Sequence, residues 1–375
     1  MNTLMSRRRL LFGGTTLAGA AMLGGLSTGA LRLINPAVGE LAAPVTPIRM
    51  SSNENPYGPS QKAVEAMQAA FSQSNLYGGI NGQIFELLSK IEGVPANHIT
   101  IGAGSGELLH AGGVLASLQP GSIVSPYPTF NSLARAAEVL GTEIINVPVG
   151  EDMHIDLNAM YAAIRPDTTL VYLCNPNNPL PTIIEKQALE DFVRTVAKDR
   201  LVFIDEAYYE YVDNPQFSSM MHLVAEGLNN IIIARTASKI HGFAGLRVGF
   251  GYAHPDLIAK INQVKTGSIS ILSQHAAYTA YQDMEFQDFS RAKNKESLAL
   301  VESMCDELGL RYVKSNANFA FFETGMDSDV FRASMREHNI MVGRTFQPFP
   351  TWARVSMAKP EEMAYFVQTY KKLYA

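Results

Sequence analysis

The chain has 375 residues, of which 47% are hydrophobic and 17% are charged. Its 30 Lys and Arg against 35 Asp and Glu give a net charge of −5. These values exclude a disordered tail protein and give no sign of a nucleic-acid partner. The length suits two domains of ordinary size or one large α/β enzyme. Cys174 and Cys305 exclude a disulfide mini-protein; we expect two buried thiols, with a single bridge between them as the alternative.

The first residues have the pattern of an export signal. Ser6 is followed by Arg7, Arg8 and Arg9, then by an uncharged stretch over residues 10–31 that is rich in Gly, Ala and Leu. The small residues Thr28, Gly29 and Ala30 lie near the end of this stretch, as at a signal cleavage site, and the paired arginines match the twin-arginine pattern. An N-terminal membrane anchor is the alternative, because the stretch is long enough to span a bilayer. We predict a twin-arginine signal peptide and linker over residues 1–43, recognition by the twin-arginine export machinery, and a periplasmic or secreted protein.

Short apolar runs then alternate with helical stretches as far as residue 270. The predicted strands lie at 99–101, 122–124, 143–147, 170–173, 201–204, 231–234 and 248–252. Several are apolar on both faces, as buried parallel strands are. The predicted helices lie at 106–117, 131–140 and 184–198. This alternation predicts an α/β domain with a mostly parallel central sheet.

The pattern changes in the last third of the chain. A long helical stretch is predicted over 273–308, followed by a strand at 318–323, a helix at 328–338, a strand at 353–357 and a final helix after 360. This order predicts a second, smaller α+β domain. We therefore predict a large cofactor-binding domain over 70–270, a small C-terminal domain over 271–375, and an N-terminal arm over 44–69 that forms part of the small domain.

Polar groups follow four of the predicted strands, at the edge where open α/β sheets bind ligands. They are the glycine-rich segment 102–106, the Asn-Pro cluster 175–179, Asp205, and the segment 236–239 that ends in Lys239. Each taken alone is explained by a helix cap, a turn or a solvated side chain. Together they supply backbone N–H groups for a phosphate, an amine for a Schiff base and a carboxylate for a pyridinium nitrogen. No metal is expected.

By these motifs the chain resembles a known family. The motifs, in chain order, lie at 52–59 (Ser-Asn-Glu-Asn-Pro-Tyr-Gly-Pro), 77–78, 175–179, 205–208, 236–239, 245–249 and 353–356. Residues 46–375 thereby resemble the fold-type I pyridoxal-phosphate-dependent aminotransferases of class I/II, and most of all their histidinol-phosphate aminotransferase branch. The resemblance implies an aspartate-aminotransferase-like three-layer α/β/α sandwich and the cofactor pyridoxal 5'-phosphate. It also implies an amino acid and a 2-oxo acid as substrates, and a homodimer with shared active sites.

The resemblance also implies roles for single residues. Lys239 would hold the cofactor as an internal aldimine and move the proton at Cα, and Asp205 would pair with the pyridine nitrogen. Tyr208 and Asn178 would bind the phenolic oxygen of the cofactor, and Phe130 would stack on its ring. The cofactor phosphate would be bound by Ser105, Gly106, Thr236, Ser238 and Arg247, and by Tyr77 of the partner subunit. The substrate would be bound by Arg354 at its α-carboxylate, and by Asn55, Tyr57, Asn318 and Arg344.

Departures from the family pattern leave the substrate open. Leu180 and Pro181 replace the usual Thr-Gly after Asn178 and Pro179. Arg344 is the candidate for the arginine that binds the phosphate of histidinol phosphate, yet an export signal does not suit cytoplasmic histidine synthesis. An aromatic group at 346, 349 and 352 suggests a substrate with an apolar or aromatic side chain, and packing explains it nearly as well. The alternative reactions are decarboxylation, racemisation and elimination; the alternative outside catalysis is a cofactor-binding sensor.

Overall fold

A seven-stranded sheet lies at the centre of the computed structural model, which describes Leu41 and residues 44–375. The strands of the described chain are β1 (Ile48–Met50), β2 (Ile99–Gly102), β3 (Ser122–Tyr127), β4 (Glu143–Pro148), β5 (Thr168–Cys174), β6 (Leu201–Asp205), β7 (Ile231–Thr236), β8 (Gly249–Ala253), β9 (Tyr312–Val313), β10 (Phe319–Glu323), β11 (Ile340–Val342) and β12 (Trp352–Ser356). The signal-peptide prediction falls, apart from Leu41, outside the described residues.

Helices separate these strands along most of the chain. They are α1 (Gln61–Ala70), α2 (Asn81–Glu92), α3 (Ser105–Ala116), α4 (Ser132–Val139), α5 (Leu157–Ala162), α6 (Lys186–Val196), α7 (Met221–Ala225), α8 (Pro255–Val264), α9 (Ile271–Ala280), α10 (Met284–Leu308), α11 (Ser328–Glu337) and α12 (Pro360–Tyr374). Short 3-10 turns lie at Phe71–Gln73, Ala96–His98 and Tyr209–Tyr211. None of the helices within the described residues is long and apolar enough to cross a membrane.

The central sheet has the strand order β2-β8-β7-β6-β5-β3-β4. Its neighbours from β7 to β4 pair in parallel, and only β8 runs against both of its neighbours. The prediction of a mostly parallel α/β sheet is confirmed. The strand positions also agree within a few residues, because strands that are buried on both faces leave a continuous apolar run in the sequence.

The sheet is buried because its side chains alternate between two hydrophobic cores. Val202 and Ile204 of β6 pack into one core, whereas Phe203 between them packs into the core on the opposite face. All three are fully buried, and burial of each such side chain contributes about 1.5–3 kcal/mol. Helices cover both faces and hold the polar strand ends in fixed positions.

The C-terminal third forms a further core around two small sheets. β12, β10 and β9 form an antiparallel sheet, and β1 pairs in parallel with β11, which ties residues 48–50 to this part of the chain. A third hydrophobic core lies here, between α10, α11, α12 and these strands. Because Leu41 and residues 44–375 belong to one compact unit, the boundaries proposed at residues 70 and 271 stay a prediction.

One detail differs from the sequence-based expectation, and a second decides between two alternatives that the sequence left open. The single helix predicted over 273–308 is wrong: α9 ends at Ala280 and α10 begins at Met284. The break occurs at Asp283, whose backbone is not helical and whose buried carboxylate accepts a hydrogen bond from Lys62 Nζ at 2.8 Å. Cys174 and Cys305 are both buried and free, as expected for small apolar residues, and the alternative of a bridge between them is wrong.

Candidate active site

The carboxyl ends of β5, β6 and β7 and the start of α3 border one cavity of about 400 Å³. This cofactor cavity lies at the edge of the sheet where the parallel strands end, which is the edge that binds ligands in open α/β sheets. Every residue predicted to bind the cofactor, except Tyr77, lines it: Ser105, Gly106, Phe130, Asn178, Asp205, Tyr208, Thr236, Ser238, Lys239 and Arg247. Residues from widely separated motifs therefore meet at one place.

Lys239 supplies the amine of the site. It lies in the turn after β7, and its Nζ donates to the carbonyl oxygen of Asn53 at 3.2 Å. Burial and, to a lesser degree, the nearby positive charge of Arg354 lower the pKa of Lys239 to about 8, although the carboxylate of Asp205 opposes both. An amine with a lowered pKa loses its proton readily near neutral pH, as a nucleophile and general base must.

Asp205 supplies the buried carboxylate. It is the last residue of β6, and the Ala207 N–H donates to its Oδ1 at 3.2 Å. Burial raises the pKa of Asp205 to about 7, although the Ala207 N–H and the charge of Lys239 lower it. A buried carboxylate becomes strongly favoured as the anion once a cationic N–H donor approaches it. Asp205 therefore suits a positively charged ring nitrogen.

The start of α3 forms a cradle for an anion. α3 begins at Ser105 directly after Gly104, whose φ of +79° favours glycine. A Cβ at Gly104 would lie 2.2 Å from the guanidinium of Arg247, so glycine is required for that arginine to approach the helix N-terminus. Thr236 Oγ1 donates to Ser238 Oγ at 2.9 Å on the same side. Free backbone N–H groups, hydroxyls and a guanidinium together fit a phosphate group.

Tyr208 is held by two amides. Asn53 Nδ2 and Asn178 Nδ2 donate to its Oη at 3.0 and 3.2 Å, and Ser356 Oγ fixes Asn53 by donating to its Oδ1 at 2.8 Å. Burial raises the pKa of Tyr208, which keeps the phenol protonated. Because the oxygen already accepts two hydrogen bonds, its own proton is available to an acceptor in the cavity.

Asn53 was not among the predicted site residues. It belongs to the quoted motif 52–59, but only Asn55 and Tyr57 were selected from that motif. Its φ of +53° places it in the left-handed region, which Asn tolerates better than most residues. This backbone lets its carbonyl face Lys239 while its side chain faces Tyr208. The sequence signal for a site residue here is an Asn in a turn-forming motif, but the sequence alone does not distinguish Asn53 from Asn55.

Arg354 is a buried guanidinium without a carboxylate partner among the described residues. It lies on β12, donates from Nη1 to Asn178 Oδ1 at 2.6 Å and from Nη2 to the Ser51 carbonyl at 2.7 Å. Burial lowers the pKa of Arg354 to about 10. A buried guanidinium that contacts only neutral oxygens gains from a bound carboxylate. The position of Arg354 fits its predicted role, which is to bind the α-carboxylate of the substrate.

Asn55, Tyr57 and Asn318 line neither the cofactor cavity nor the larger cavity beside it. Asn55 Nδ2 donates to the carbonyl of Ile240 at 2.7 Å, and Asn318 Nδ2 donates to that of Asn53 at 3.0 Å. Tyr57 packs edge-on against Phe289. The two amides thus hold the backbone beside Lys239 and Asn53, and the substrate contacts of all three residues stay a prediction.

Tyr77 and Arg344 lie at the surface. Tyr77 is fully exposed and lines a separate cavity, so its predicted contact with a partner's cofactor stays a prediction. Arg344 is exposed at the mouth of the larger cavity, with its guanidinium carbon 4.3 Å from the ring centre of Phe346.

The aromatic residues at 346, 349 and 352 belong mainly to a hydrophobic core. Trp352 stacks on Phe321 at 5.2 Å, and Leu180 is fully buried in the same cluster. The Leu180 departure therefore fills this core, and the Pro181 carbonyl accepts the Asn316 N–H at 3.0 Å. Only Phe346 of the three lines the larger cavity, so packing explains the aromatic group better than an apolar substrate does.

Residues 45–369 match the family described as aminotransferase class I and II. The chain belongs to this family. It is 38% identical over 334 residues to the histidinol-phosphate aminotransferase of Moorella thermoacetica, and the matched region covers 88% of this chain and 86% of that protein. It is 37% identical over 325 residues to histidinol-phosphate aminotransferase 1 of Nitrosococcus oceani, with 86% and 87% covered.

Solved structures agree with the fold. The histidinol-phosphate aminotransferase of Sinorhizobium meliloti in complex with pyridoxal 5'-phosphate has a TM-score of 0.80 at 23% identity, covering 92% of this chain and 100% of that chain. The aspartate aminotransferase of Thermotoga maritima has a TM-score of 0.78 at 20% identity, with 88% and 92% covered. The predicted aspartate-aminotransferase-like fold is confirmed, and the chain is a pyridoxal-phosphate-dependent aminotransferase.

The residues of this aminotransferase fit its cofactor. Lys239 is the buried amine, Asp205 the buried carboxylate without a cationic hydrogen-bond donor among the described residues, and the Gly104 cradle the site for a phosphate. When bound, pyridoxal 5'-phosphate supplies a ring that accepts the electron pair released at Cα. The protein supplies the groups that bind, orient and exchange protons.

Proposed function

We propose that this aminotransferase is exported and moves the amino group of an L-amino acid, or of a histidinol-phosphate-like amine, to a 2-oxo acid. The observation that carries this proposal is Arg354. A buried guanidinium that already holds Asn178 supports an orientation in which the substrate carboxylate is fixed and the Cα–H bond faces Lys239. Lys239 Nζ is then the base nearest to the proton that leaves Cα.

The fixed carboxylate favours transamination over the related reactions. Decarboxylation needs the carboxylate free to turn away from the plane of the ring, and two-point binding by a guanidinium opposes this rotation. Racemisation and elimination also begin with loss of the Cα proton, so they are separated from transamination by their products. The family supports transamination among these reactions.

A panel of amino acids and amines tests the reaction. Purified holoprotein is mixed with each compound, and the cofactor absorbance and the products are followed. Conversion of the cofactor to its amino form together with a 2-oxo acid is the expected result. Release of carbon dioxide or inversion of the substrate would refute transamination. The Lys239→Ala variant should lack the covalently held cofactor, and turnover by that variant would contradict the assigned role of Lys239.

Export is proposed from the arginine pair and the apolar segment that follows it. The full-length chain should be found in the periplasm or medium of a bacterium with a twin-arginine system. Replacement of Arg7 and Arg8 by Lys should retain it in the cytoplasm. Export of this variant at the normal level would contradict the twin-arginine route.

We also propose that the active enzyme is a homodimer in which Tyr77 reaches the cofactor phosphate of the partner. The support is its position: Tyr77 is fully exposed beside Gly78 and Gly79, which both have positive φ. Light scattering should give twice the mass of the mature chain, and Tyr77→Phe should weaken cofactor binding. A fully active monomer would contradict this arrangement.

A further inference from the structure

His241 and Glu210 form a hydrogen-bonded pair outside the cofactor cavity. His241 Nε2 lies 2.9 Å from Glu210 Oε1, and the two side chains are only 1% and 6% exposed. An ionised carboxylate can only accept a hydrogen bond, so Nε2 carries the hydrogen and donates it. Neither residue lines the cofactor cavity or the larger cavity beside it, so the pair contacts neither cofactor nor substrate.

This pair joins the two chain segments that carry Lys239 and Tyr208. His241 is two residues after Lys239, and Glu210 is two residues after Tyr208, within the 3-10 turn at 209–211. In the described part of the chain, it is the only hydrogen bond between the segments 206–212 and 237–243. The pair therefore links the amine of the site to the phenol of the site beyond the ends of β6 and β7.

The turn that carries Lys239 is closed around His241. The Gly242 N–H donates to the Lys239 carbonyl at 3.0 Å. Gly242 has a φ of +73°, and a Cβ at this position would lie 2.1 Å from the Gly58 carbonyl oxygen, so only glycine fits. Because the turn is closed on both sides of His241, an anchor on the His241 side chain also restrains the backbone of Lys239.

The imidazole of His241 is held at one nitrogen and on one face. It stacks on Tyr281, with ring centres 4.2 Å apart and planes inclined by 27°. Nδ1 of His241 and Oε2 of Glu210 are buried and have no hydrogen-bond partner among the described residues. Each side chain thus has the other as its hydrogen-bond partner in that part of the chain, so removal of either partner releases both.

We infer that His241 and Glu210 are positioning residues that fix Lys239 Nζ relative to Tyr208; this inference rests on the role of Lys239 in the proposed function. Lys239 Nζ lies 5.3 Å from the ring centre of Tyr208 and donates to the Asn53 carbonyl. The four-carbon stem of lysine is flexible, so its amine has a defined place only where its backbone is fixed. A displacement of about 1 Å at a reacting group lowers the rate about 100-fold.

Two substitutions at Glu210 separate the hydrogen bond from the charge. Glu210→Gln keeps an oxygen that accepts from His241 Nε2, whereas Glu210→Leu has no acceptor, and both variants lack the negative charge. A further control is Tyr281→Phe, which keeps the stacked ring and removes a hydroxyl without a partner among the described residues. The inference predicts that Glu210→Leu differs from both controls.

The readout is the pH dependence of the covalent attachment of pyridoxal 5'-phosphate to Lys239 in the cofactor-free protein. One equivalent is added, the absorbance is followed, and the signal of Lys239→Ala is subtracted. Burial holds the pKa of Lys239 at about 8 in the wild type, and an amine that moves toward water regains a pKa nearer to about 10.4. The charged groups that act on Lys239 are the same in both Glu210 variants: Asp205, Glu54, Arg354 and Arg247.

The midpoint of this pH profile should lie about one pH unit higher in Glu210→Leu than in Glu210→Gln, because only the leucine variant lets the amine leave its buried position. Tyr281→Phe should keep the wild-type midpoint. Equal midpoints in the two Glu210 variants overturn the inference.

A double variant keeps the test valid if Glu210→Leu does not fold. His241→Phe/Glu210→Leu replaces both partners by apolar groups, so neither is left buried without its partner. It also keeps an aromatic ring against Tyr281 but lacks the hydrogen bond. Its midpoint should be raised as in Glu210→Leu, and a midpoint equal to that of Glu210→Gln overturns the inference.

Turnover separates this inference from the proposed reaction. With an amino donor that the wild type transaminates, Glu210→Leu should have a kcat at least about ten-fold below that of Glu210→Gln. KM should be the same in both variants, because Arg354 binds the substrate carboxylate in the proposed function. An equal kcat overturns the inference. If the wild type transaminates no amine, the proposed function fails, and the attachment profile, which needs no turnover, decides whether the pair positions Lys239.

Discussion

Replacement of Arg235 by Met should destabilise the protein strongly, because Arg235 neutralises two buried carboxylates. Its Nε and Nη2 donate to Glu206 Oε2 at 3.0 and 2.9 Å, and Nη2 donates to Ser219 Oγ at 2.7 Å. Its Nη1 pairs with Glu92 at 2.5 Å, and the guanidinium lies 3.6 Å from the ring centre of Tyr209. The side chain of Arg235 is only 3% exposed.

The magnitude follows from what the substitution leaves behind. Methionine fills much of the volume but leaves Glu92 and Glu206 buried, at 8% and 1% side-chain exposure, without a cation. Removal of one partner from a buried pair costs about 3–5 kcal/mol. Since Arg235 contacts two carboxylates and the Ser219 hydroxyl, we expect the substitution to lower the free energy of unfolding by about 4–5 kcal/mol. The ion pair between Arg235 and Glu206 also joins the ends of β7 and β6. Because these strand ends carry the catalytic groups, activity should fall together with stability.

The loss should depend on pH. Burial raises the pKa of Glu92, and Arg235 opposes this rise, so the Arg235→Met variant should raise the pKa of Glu92 further. A carboxyl group with a folded pKa above its unfolded value stabilises the native state at low pH. That contribution is lost as the pH rises through the folded pKa. The destabilisation should therefore be larger at pH 7 than near pH 5.

Urea unfolding at both pH values measures the free energy of unfolding of the variant. The matched control is Arg194→Met: the side chain of Arg194 is 38% exposed, against 3% for Arg235, and also contacts two glutamates, Glu190 and Glu226. Exposed pairs are worth less than about 1 kcal/mol, so this control should unfold almost as the wild type does. A loss below about 1 kcal/mol for Arg235→Met, or an equal loss at both pH values, would refute the reasoning.

Three further predictions concern the cofactor cavity. Asn53→Ala should lower kcat/KM and stability more than Asn53→Gly, because both lose the amide that donates to Tyr208 but only Ala strains the left-handed backbone; kinetics and urea unfolding compare them, and equal losses would exclude strain. Arg354→Gln should raise the pKa of Lys239, because the positive charge of Arg354 lowers that pKa in the wild type. In cofactor-free protein, the pH at which the Lys239 amine reacts with an aldehyde should therefore rise, and an unchanged pH profile would contradict this. Asp205→Asn should lower kcat/KM by at least about ten-fold, or 1.4 kcal/mol, and steady-state kinetics near the wild-type value would contradict the role of the carboxylate.

The chemistry at the strand ends was predictable because it is local in sequence. Asp205 and Lys239 each follow an apolar strand within a few residues, and parallel strands bring their carboxyl ends to one edge. The apolar runs identify the strands, and the polar residue after each run then lies at the ligand edge. Asn53 was not predictable in this way, since its contact with Tyr208 joins the N-terminal arm to the end of β6.

Substrate selection is not readable from the same motifs for a physical reason. The groups that hold the cofactor share one sheet edge, so their positions are set by strands with strong sequence patterns. Arg135 and Arg336 lie on the helices α4 and α11, far apart in the sequence, and an exposed arginine on a helix usually indicates only a solvated face. Both line the larger cavity, which arises only when α11 packs beside the cofactor site. The charge of that cavity therefore follows from the packing of helices and cannot be read from the motifs that hold the cofactor.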